Sequence, residues 1–217
     1  EWMKVLVLPV GPLKANCYTV CQEETGDCVV IDPGGDRELL LHSLEEHRLT
    51  PKAILLTHGH FDHIGAVDDL KKRTGAKLVI HPEDVGLLQD PDRNLSRPFG
   101  IGDLRVKATP DRLLKDEDML EIGGIRFRVL HAPGHTMGGV FYIGDGILFS
   151  GDTLMQGTAG RTDMPGGNLQ MLMKSLSRLS DLDDSVVICP GHGPQSTLAR
   201  ERISNPYLQA AGGPEKS

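Results

Sequence analysis

Short apolar runs of strand length alternate along the chain with segments of helical periodicity, and this alternation constrains the fold more than any other feature of the sequence. Apolar runs predict strands over residues 5–8, 17–21, 28–31, 53–56, 77–80, 126–130, 140–143, 147–149 and 186–189. Apolar stripes predict helices over residues 37–47, 64–73, 169–179 and 197–203. Residues 120–125 indicate a hairpin without an intervening helix, whereas residues 90–118, rich in Pro, Asp and Gly, predict a long surface loop. We therefore expect mixed α/β or α+β sheets covered by helices, in one domain over residues 1–217, rather than a purely parallel doubly wound sheet.

Charge and composition exclude several classes of function. The 217-residue chain carries 23 basic and 30 acidic residues, a net charge of −7, which argues against binding nucleic acid or an anionic membrane through bulk charge. No apolar run approaches the roughly 18 residues of a membrane span, and the N-terminal segment lacks the features of a signal peptide. Four cysteines are too few for a disulfide framework in a chain of this length. We expect a cytoplasmic globular protein with free, buried thiols.

One short segment concentrates residues that ligate metals. Directly after the predicted strand at residues 53–56, three histidines and an aspartate lie within six positions: His58, His60, Asp62 and His63. His58 and His60 are two residues apart in an extended segment and therefore point to the same side. Imidazole nitrogen and carboxylate oxygen suit zinc, iron or manganese, and sites in α/β folds gather at the carboxyl ends of strands. The segment therefore predicts a metal site.

Three further ligand-type residues occur in one shared context. His135, Asp152 and His192 each stand beside a glycine, just past an apolar run of strand length. A tight glycine turn at a strand end can direct such a side chain towards a common centre. One loop does not complete a site, so we expect these three residues to supply the remaining ligands.

The order and spacing of these ligands resemble the dinuclear-metal motif of the metallo-β-lactamase superfamily, with all seven of its positions occupied. The resemblance implies a four-layer αβ/βα sandwich with two divalent metal ions in a cleft at one edge of the sheets. Carried over position by position, the resemblance implies that the first metal is held by His58, His60 and His135. The second metal would be held by Asp62, His63 and His192, with Asp152 between the two metals. Segments 31–35, 151–154 and 160–163 are most similar to those of short hydroxyacylglutathione hydrolases, the glyoxalase II relatives.

The predicted site points to hydrolysis. Two cations lower the pKa of a shared water, so that hydroxide is available at neutral pH without a separate strong base. No unassigned motif supplies an obvious proton donor, and a thiolate, unlike an amine, departs without one. We therefore expect a hydrolase that uses zinc, with iron or manganese as alternatives, to cleave an acyl thioester such as S-D-lactoylglutathione, with Asp62 and His60 as catalytic residues.

Substrate recognition is less strongly indicated than the chemistry. Arg161 is expected to bind the substrate by pairing with a carboxylate of glutathione, the alternative being a salt bridge to Asp163. The helical C-terminal region of full-length glyoxalase II has no match in residues 193–217. The expected partner is a small-molecule thioester, with neither nucleic acid nor membrane, and the sequence does not indicate an oligomeric state.

Other interpretations of the same ligands stay open. A persulfide dioxygenase, which binds a single iron, is the nearest alternative of another reaction class, and a non-catalytic metal-binding module is a third. A zinc β-lactamase is less favoured, because such enzymes usually carry a cysteine where Asp152 stands. Among the other histidines, His131 is adjacent to the site, whereas the rest are expected on the surface or at a strand end: His42, His47 and His81.

Overall fold

Two six-stranded sheets form the centre of the protein, one from each half of the chain. The computed structural model describes residues 3–212, so both ends of the predicted 1–217 domain lie outside the described residues. The first sheet contains, in order, β1 (Lys4–Val10), β2 (Ala15–Cys21), β3 (Asp27–Ile31), β4 (Thr50–Leu55), β5 (Lys77–Ile80) and β6 (Arg112–Leu113). The second contains β7 (Met119–Ile122), β8 (Ile125–His131), β9 (Val140–Gly144), β10 (Ile147–Gly151), β11 (Val187–Pro190) and β12 (Ser196–Thr197), in the spatial order β12-β11-β10-β9-β8-β7.

Both sheets are mixed, as the sequence predicts. In the first sheet β1, β2 and β3 pair antiparallel, while β3 to β6 run parallel. In the second sheet β7 to β10 pair antiparallel, β10 and β11 are parallel, and β12 returns antiparallel. The strand pair predicted at residues 120–125 is the β7–β8 hairpin.

Helices cover the outer faces of the sheets and complete four layers. Successive side chains of a strand point to opposite faces of the sheet and so pack into different cores. Val30 and Ile54 pack outward against helices, whereas Val29 lies between the sheets. A third core, which includes Leu130 and Phe141, lies between the second sheet and its helices. The helices are α1 (Arg37–Glu46), α2 (Phe61–Ile64), α3 (Val67–Thr74), α4 (Leu169–Ser177), α5 (Leu198–Ser204) and α6 (Pro206–Ala211), with a 3₁₀ helix at Pro82–Leu88. The predicted helix–sheet–sheet–helix sandwich is confirmed.

Two segments differ from their predicted form. The helix predicted over residues 64–73 is divided into α2 and α3, because the amide of Ala66 donates to the carbonyl of Pro33, 2.9 Å away, instead of continuing the helix. The predicted surface loop at residues 90–118 is largely irregular, but part of it is buried. The amide group of Asn94 donates to the carbonyls of Leu87 and Leu104, and this pins the loop against the first sheet's helices.

Strand direction brings the ligand loops to one edge of the sandwich. The parallel strands β3, β4 and β5 all end at the same edge of the first sheet. Pairing directions also make β8, β10 and β11 run the same way in the second sheet. The loops that follow these strands carry the predicted ligands, so the topology places them where sites form in α/β sheets.

Candidate metal centre

The structure brings all seven predicted metal ligands together in two adjoining groups. In each group, one ligand atom from every residue lies within 4.8 Å of the corresponding atoms of the others. The first group is His58, His60 and His135, and the second is Asp62, His63, Asp152 and His192. The three residues that the resemblance assigns to each metal thus lie together, and Asp152, which it assigns between the metals, is in the second group.

Asp152 lies between the two groups. Its Oδ2 atom is 3.6 Å from Nε2 of His135, in the first group, and 3.5 Å from Nε2 of His192, in the second. Its Oδ1 atom is 3.4 Å from Nε2 of His63. Gly191 makes this approach possible, since a Cβ atom there would lie 2.1 Å from Oδ1 of Asp152. A single carboxylate is therefore placed to contact a cation in each group.

Unpartnered polar atoms show that the cluster fits metal ions. Burying a polar atom without a partner is costly, and folded proteins rarely do it. Among the described residues, the buried side-chain nitrogens and oxygens without a hydrogen-bond partner all belong to this cluster: His58 Nε2, His60 Nε2, His63 Nε2 and Asp152 Oδ1. Nδ1 of His60 and Nε2 of His135 face each other at 3.1 Å, as two lone pairs directed at one cation do. His60 would therefore ligate through Nδ1, and only the other three unpartnered atoms would face a cation. Five imidazoles and two carboxylates around two centres are a donor set for zinc, iron or manganese.

Hydrogen bonds fix which ring nitrogen each histidine presents. The hydroxyl of Thr57 donates to Oδ2 of Asp32 at 2.6 Å and so accepts from Nδ1 of His58 at 3.0 Å, which leaves Nε2 of His58 free to ligate. Nδ1 of His63 donates to the same Asp32 oxygen at 2.9 Å and leaves its Nε2 free in the same way. Such partners set the tautomer and the orientation of ligating histidines.

Asp32 is itself excluded as a ligand. It approaches His58 and His63 closely enough to form a third candidate group with them. Both of its oxygens are occupied, however, because Oδ1 accepts from the amide of Thr57 at 2.8 Å and Oδ2 accepts two further hydrogen bonds. Sequence reasoning noted the segment around Asp32 but assigned it no role. Asp32 lies just past a buried strand, as the ligands do, and this position is the feature of the sequence that could have indicated a role for it.

Two imidazoles of the first group are uncharged. Burial lowers the pKa of His60 to about 3, and the neighbouring His135 acts in the same direction. Burial also holds the pKa of His58 well below its ordinary value. Both rings are therefore deprotonated at neutral pH, which is the form that binds a metal.

The second group concentrates negative charge around one imidazole. Burial opposes protonation of His63, but Asp62, Asp152 and Asp32 outweigh it and raise its pKa. Burial alone would raise the pKa of Asp62 and of Asp152, yet the charge of His63 overcomes it and lowers both. Two ionised carboxylates thus face a protonated ring, and a cation bound there displaces the proton.

The cluster opens to solvent at His192. The side chain of His192 is 27% exposed, compared with 7% for Asp62 and none for His63. Its Nε2 atom lies 2.9 Å from Oδ2 of Asp62. The centre is therefore accessible to solvent from the side of His192.

Arg161 is anchored beside the first group by its backbone. Its carbonyl accepts from Nδ1 of His135 at 2.8 Å, and this leaves Nε2 of His135 free to ligate. Its guanidinium group is exposed and forms two hydrogen bonds with Asp163, at 2.9 and 2.8 Å. The backbone of Arg161 is thus next to the centre, whereas its side chain is exposed and paired with an internal carboxylate.

Histidines outside the two groups have other contacts. His131 does not contact the seven ligands; its ring stacks on that of His81, with centroids 3.9 Å apart and a 9° angle between the planes. His47 contacts the carbonyl of Ser43 on the surface of α1. The four cysteines are free and buried, as expected.

A known protein family matches the part of the chain that contains the histidine cluster. The profile of the metallo-beta-lactamase superfamily matches residues 10–192. The chain belongs to this superfamily. Among the described residues, no helix combines the length and the apolar character that crossing a membrane requires.

Curated relatives and solved structures extend over nearly the whole chain. A probable metallo-hydrolase of Bacillus subtilis, YqgX, is 38% identical over 95% of this chain and 98% of its own length. The hydroxyacylglutathione hydrolase GloC of Haemophilus influenzae is 36% identical over 96% of this chain and 99% of its own. The crystal structure of BLEG-1, described as a B3 metallo-beta-lactamase, has a TM-score of 0.91 and 38% identity over 94% of this chain and 99% of that one. TTHA1623, solved in a di-iron-bound form, has a TM-score of 0.83 and 39% identity over 93% of this chain and 99% of that one.

Proposed function

We propose that this protein is a metal-dependent hydrolase that cleaves an acyl thioester, S-D-lactoylglutathione or a similar hydroxyacyl-glutathione. The observation that carries the proposal is the pair of ligand groups with Asp152 between them. The similarity to a relative named hydroxyacylglutathione hydrolase supports the substrate class. His58, His60 and His135 would hold the first cation and Asp62, His63 and His192 the second, with Asp152 contacting both.

The site residues favour a hydrolytic reaction with a good leaving group. A pair of divalent cations supplies a water of lowered pKa and polarises a carbonyl oxygen. Asp62 stays ionised at neutral pH, because the charge of His63 holds its pKa low, and an ionised carboxylate has no proton to give to a leaving group. The histidines and carboxylates of both groups are directed at one another, and none is left to protonate a leaving group. A thiolate, whose conjugate acid has a pKa of roughly 8.5, departs without such help.

Arg161 is proposed to bind the carboxylate end of the thiol moiety. Its planar guanidinium group suits a two-point contact with a carboxylate, and the contact with Asp163 already has that geometry. The carbonyl bond to His135 keeps the residue close to the first group. A substrate carboxylate would therefore replace Asp163 on Arg161 while the thioester lies at the centre.

The test combines metal analysis with a rate measurement. We expect the purified protein to contain two equivalents of zinc, iron or manganese and to release thiol from S-D-lactoylglutathione. His60→Ala and Asp62→Ala should each lower the rate by more than about 100-fold, since changes to residues that merely support metal ligands cost 10–100-fold. His47→Ala is the matched control, because His47 is exposed and lies outside both groups. Variants that keep the wild-type rate after metal removal would contradict the mechanism.

Two other reactions are outcomes of the same assay. A single iron with oxygen uptake on glutathione persulfide and no thiol release would favour the persulfide dioxygenase. Hydrolysis of a β-lactam without thioester cleavage would favour a lactamase, the class given for the structural relative BLEG-1. The complete second group, with Asp62, His63 and His192 all in place, favours two metals and hence the hydrolase. Metal binding without any of these activities would support a non-catalytic module.

A further inference from the structure

We propose that Asp84 is a positioning residue that fixes the separation between the loop of His58 and His60 and the loop of His135, and so controls the affinity of the first cation. This inference rests on the proposed metal centre but not on thioester chemistry. Asp84 does not belong to either ligand group. It lies in the 3₁₀ helix at Pro82–Leu88, directly after β5.

One buried carboxylate joins the two loops. Asp84 is fully buried, and its Oδ2 atom accepts from the amide of Gly59 at 2.9 Å and from the hydroxyl of Thr136 at 2.8 Å. Its Oδ1 atom accepts from the amide of Gly138 at 2.7 Å. Gly59 stands between His58 and His60, which follow the first sheet, and Thr136 is next to His135, which follows the second. Three hydrogen bonds to one side chain therefore connect ligands carried by opposite sheets.

The backbone is shaped to receive this carboxylate. At Gly138 an added Cβ atom would lie 2.6 Å from the amide nitrogen of Asp84 and 2.7 Å from its Cβ and Cγ atoms. Any other side chain at this position would push the His135 loop away from Asp84. The close approach therefore depends on glycine in one loop and on a short carboxylate in the other.

A second contact ties the same two regions. The amide of Asp84 donates to the carbonyl of His81 at 3.1 Å, and the ring of His81 stacks on that of His131 at the end of β8. His131 in turn contacts the carbonyl of Met137 through Nε2 at 2.8 Å. The Asp84 carboxylate and the stacked rings thus hold the 81–84 turn against the 131–138 segment from two sides.

The buried Asp84 carboxylate cannot be replaced by an amide side chain without losing a hydrogen bond. Burial raises the pKa of Asp84, although its three hydrogen bonds act in the opposite direction. Both oxygens accept from backbone amides, so an amide side chain at this position would turn one N–H group towards another donor. Asp84→Asn therefore keeps the size of the side chain while breaking the connection at one loop, with the cost of a buried donor left unmatched.

Stepwise zinc titration of the metal-free protein by calorimetry tests the proposal. Imidazole NMR signals of His135 and His192 would report which group each equivalent fills. For Asp84→Asn we expect 10–100-fold weaker binding at the first group, the range found when residues that support metal ligands are changed, and little change at the second. Thr136→Val, which removes one of the three hydrogen bonds, should fold and show a smaller loss at the same group.

Glu201→Gln is the matched control. Glu201 is also a fully buried carboxylate with three donors, the hydroxyl of Ser196, the amide of Gly157 and the side chain of Asn205, but it contacts neither ligand loop of the first group. Glu201→Gln should lower the thermal unfolding temperature about as much as Asp84→Asn does, without a selective loss of affinity for the first cation. Wild-type affinity at the first group in both Asp84→Asn and Thr136→Val, or equal losses at both groups, would overturn the proposal. A wild-type protein that binds two cations without cleaving thioesters would refute the proposed function and leave this inference standing.

Discussion

Asp32→Asn should weaken binding of the second cation by forcing His63 into the wrong tautomer. In the structure, Oδ1 of Asp32 accepts from the amide of Thr57, and Oδ2 accepts from the hydroxyl of Thr57 and from Nδ1 of His63. If asparagine keeps its oxygen towards the Thr57 amide, its NH₂ group faces Nδ1 of His63. The conflict between the two donors is relieved when the ring gives up its Nδ1 proton and keeps only the proton on Nε2, the nitrogen that the second group needs for the cation.

The size of the effect follows from the hydrogen bonds. Binding a cation through Nε2 returns the proton to Nδ1, where it meets the asparagine NH₂ group without an acceptor. A buried donor left unsatisfied costs about 1–3 kcal/mol, which corresponds to roughly 5–150-fold in affinity. If asparagine turns over instead, the same cost falls on the Thr57 amide and appears as lost folding stability. The Thr57 hydroxyl can still accept from Nδ1 of His58, so the first group should be affected less.

Zinc titration and ¹⁵N NMR of the His63 ring measure both consequences. We expect a larger dissociation constant at the second group. In the metal-free variant we expect His63 to carry a proton on Nε2 alone, where the wild-type ring carries protons on both nitrogens. Asp36→Asn makes the same chemical change at an exposed carboxylate that accepts from the amide of Gly11, and should alter affinity by no more than about twofold. Wild-type affinity at the second group, with Nδ1 of His63 still protonated in the metal-free variant, would refute the reasoning.

Three further outcomes are expected. Removing the metals with a chelator should lower the unfolding temperature, because a ligand present at 100 times its dissociation constant stabilises the folded state by about 2.7 kcal/mol, and an unchanged midpoint would contradict a native metal centre. Burial and the neighbouring His131 lower the pKa of His81 from 6.5 to about 4, so the unfolded chain binds more protons between these values. The free energy of unfolding should therefore fall as pH drops through this window, by at most about 3 kcal/mol before solvent screening of the ring reduces the effect. In urea unfolding, His81→Gln should lose this part of the dependence of stability on pH, and a dependence identical to that of the wild type would refute the prediction. Asp163→Asn should free Arg161 and lower KM about 2–5-fold for a thioester that carries a carboxylate but not for one that lacks it, whereas equal shifts would contradict the role of Arg161.

The sequence predicts the ligands better than the residues that support them. His58, His60 and Asp62 lie close together in the chain, and the predicted ligands from distant segments share one local context, so spacing and strand ends predict a group of residues that the structure brings together. Asp32 and Asp84 act through hydrogen bonds to residues 25 positions or more away. Asp32 shares with the ligands its position just past a strand, but nothing in the local sequence shows which distant residues either aspartate contacts.

Tertiary contacts also override two local patterns. The apolar stripe at residues 64–73 is continuous, but the Pro33 carbonyl captures the amide of Ala66 and divides the helix. The composition of residues 90–118 is that of an exposed loop, yet the carbonyl of Asn94 accepts from the amide of Phe61 at 2.9 Å and holds the loop against α2. In both places the hydrogen-bond partner that determines the local structure is distant in sequence, so the periodicity of the segment itself does not predict the contact.

The division of ligands between the sheets explains why the supporting residues matter. Each group takes residues from both halves of the chain: His58 and His60 are joined by His135, and Asp62 and His63 are joined by Asp152 and His192. The ligands of one group therefore hold their spacing only as well as the two sheets hold theirs at this edge. The core between the sheets is largely apolar, and most of it fixes the distance between layers without fixing the register of the loops. Directional hydrogen bonds contribute to that register, among them those of Asp32 within the first sheet's loops and those of Asp84 across to the second. Single buried aspartates outside the ligand set should therefore have selective effects on one cation or the other.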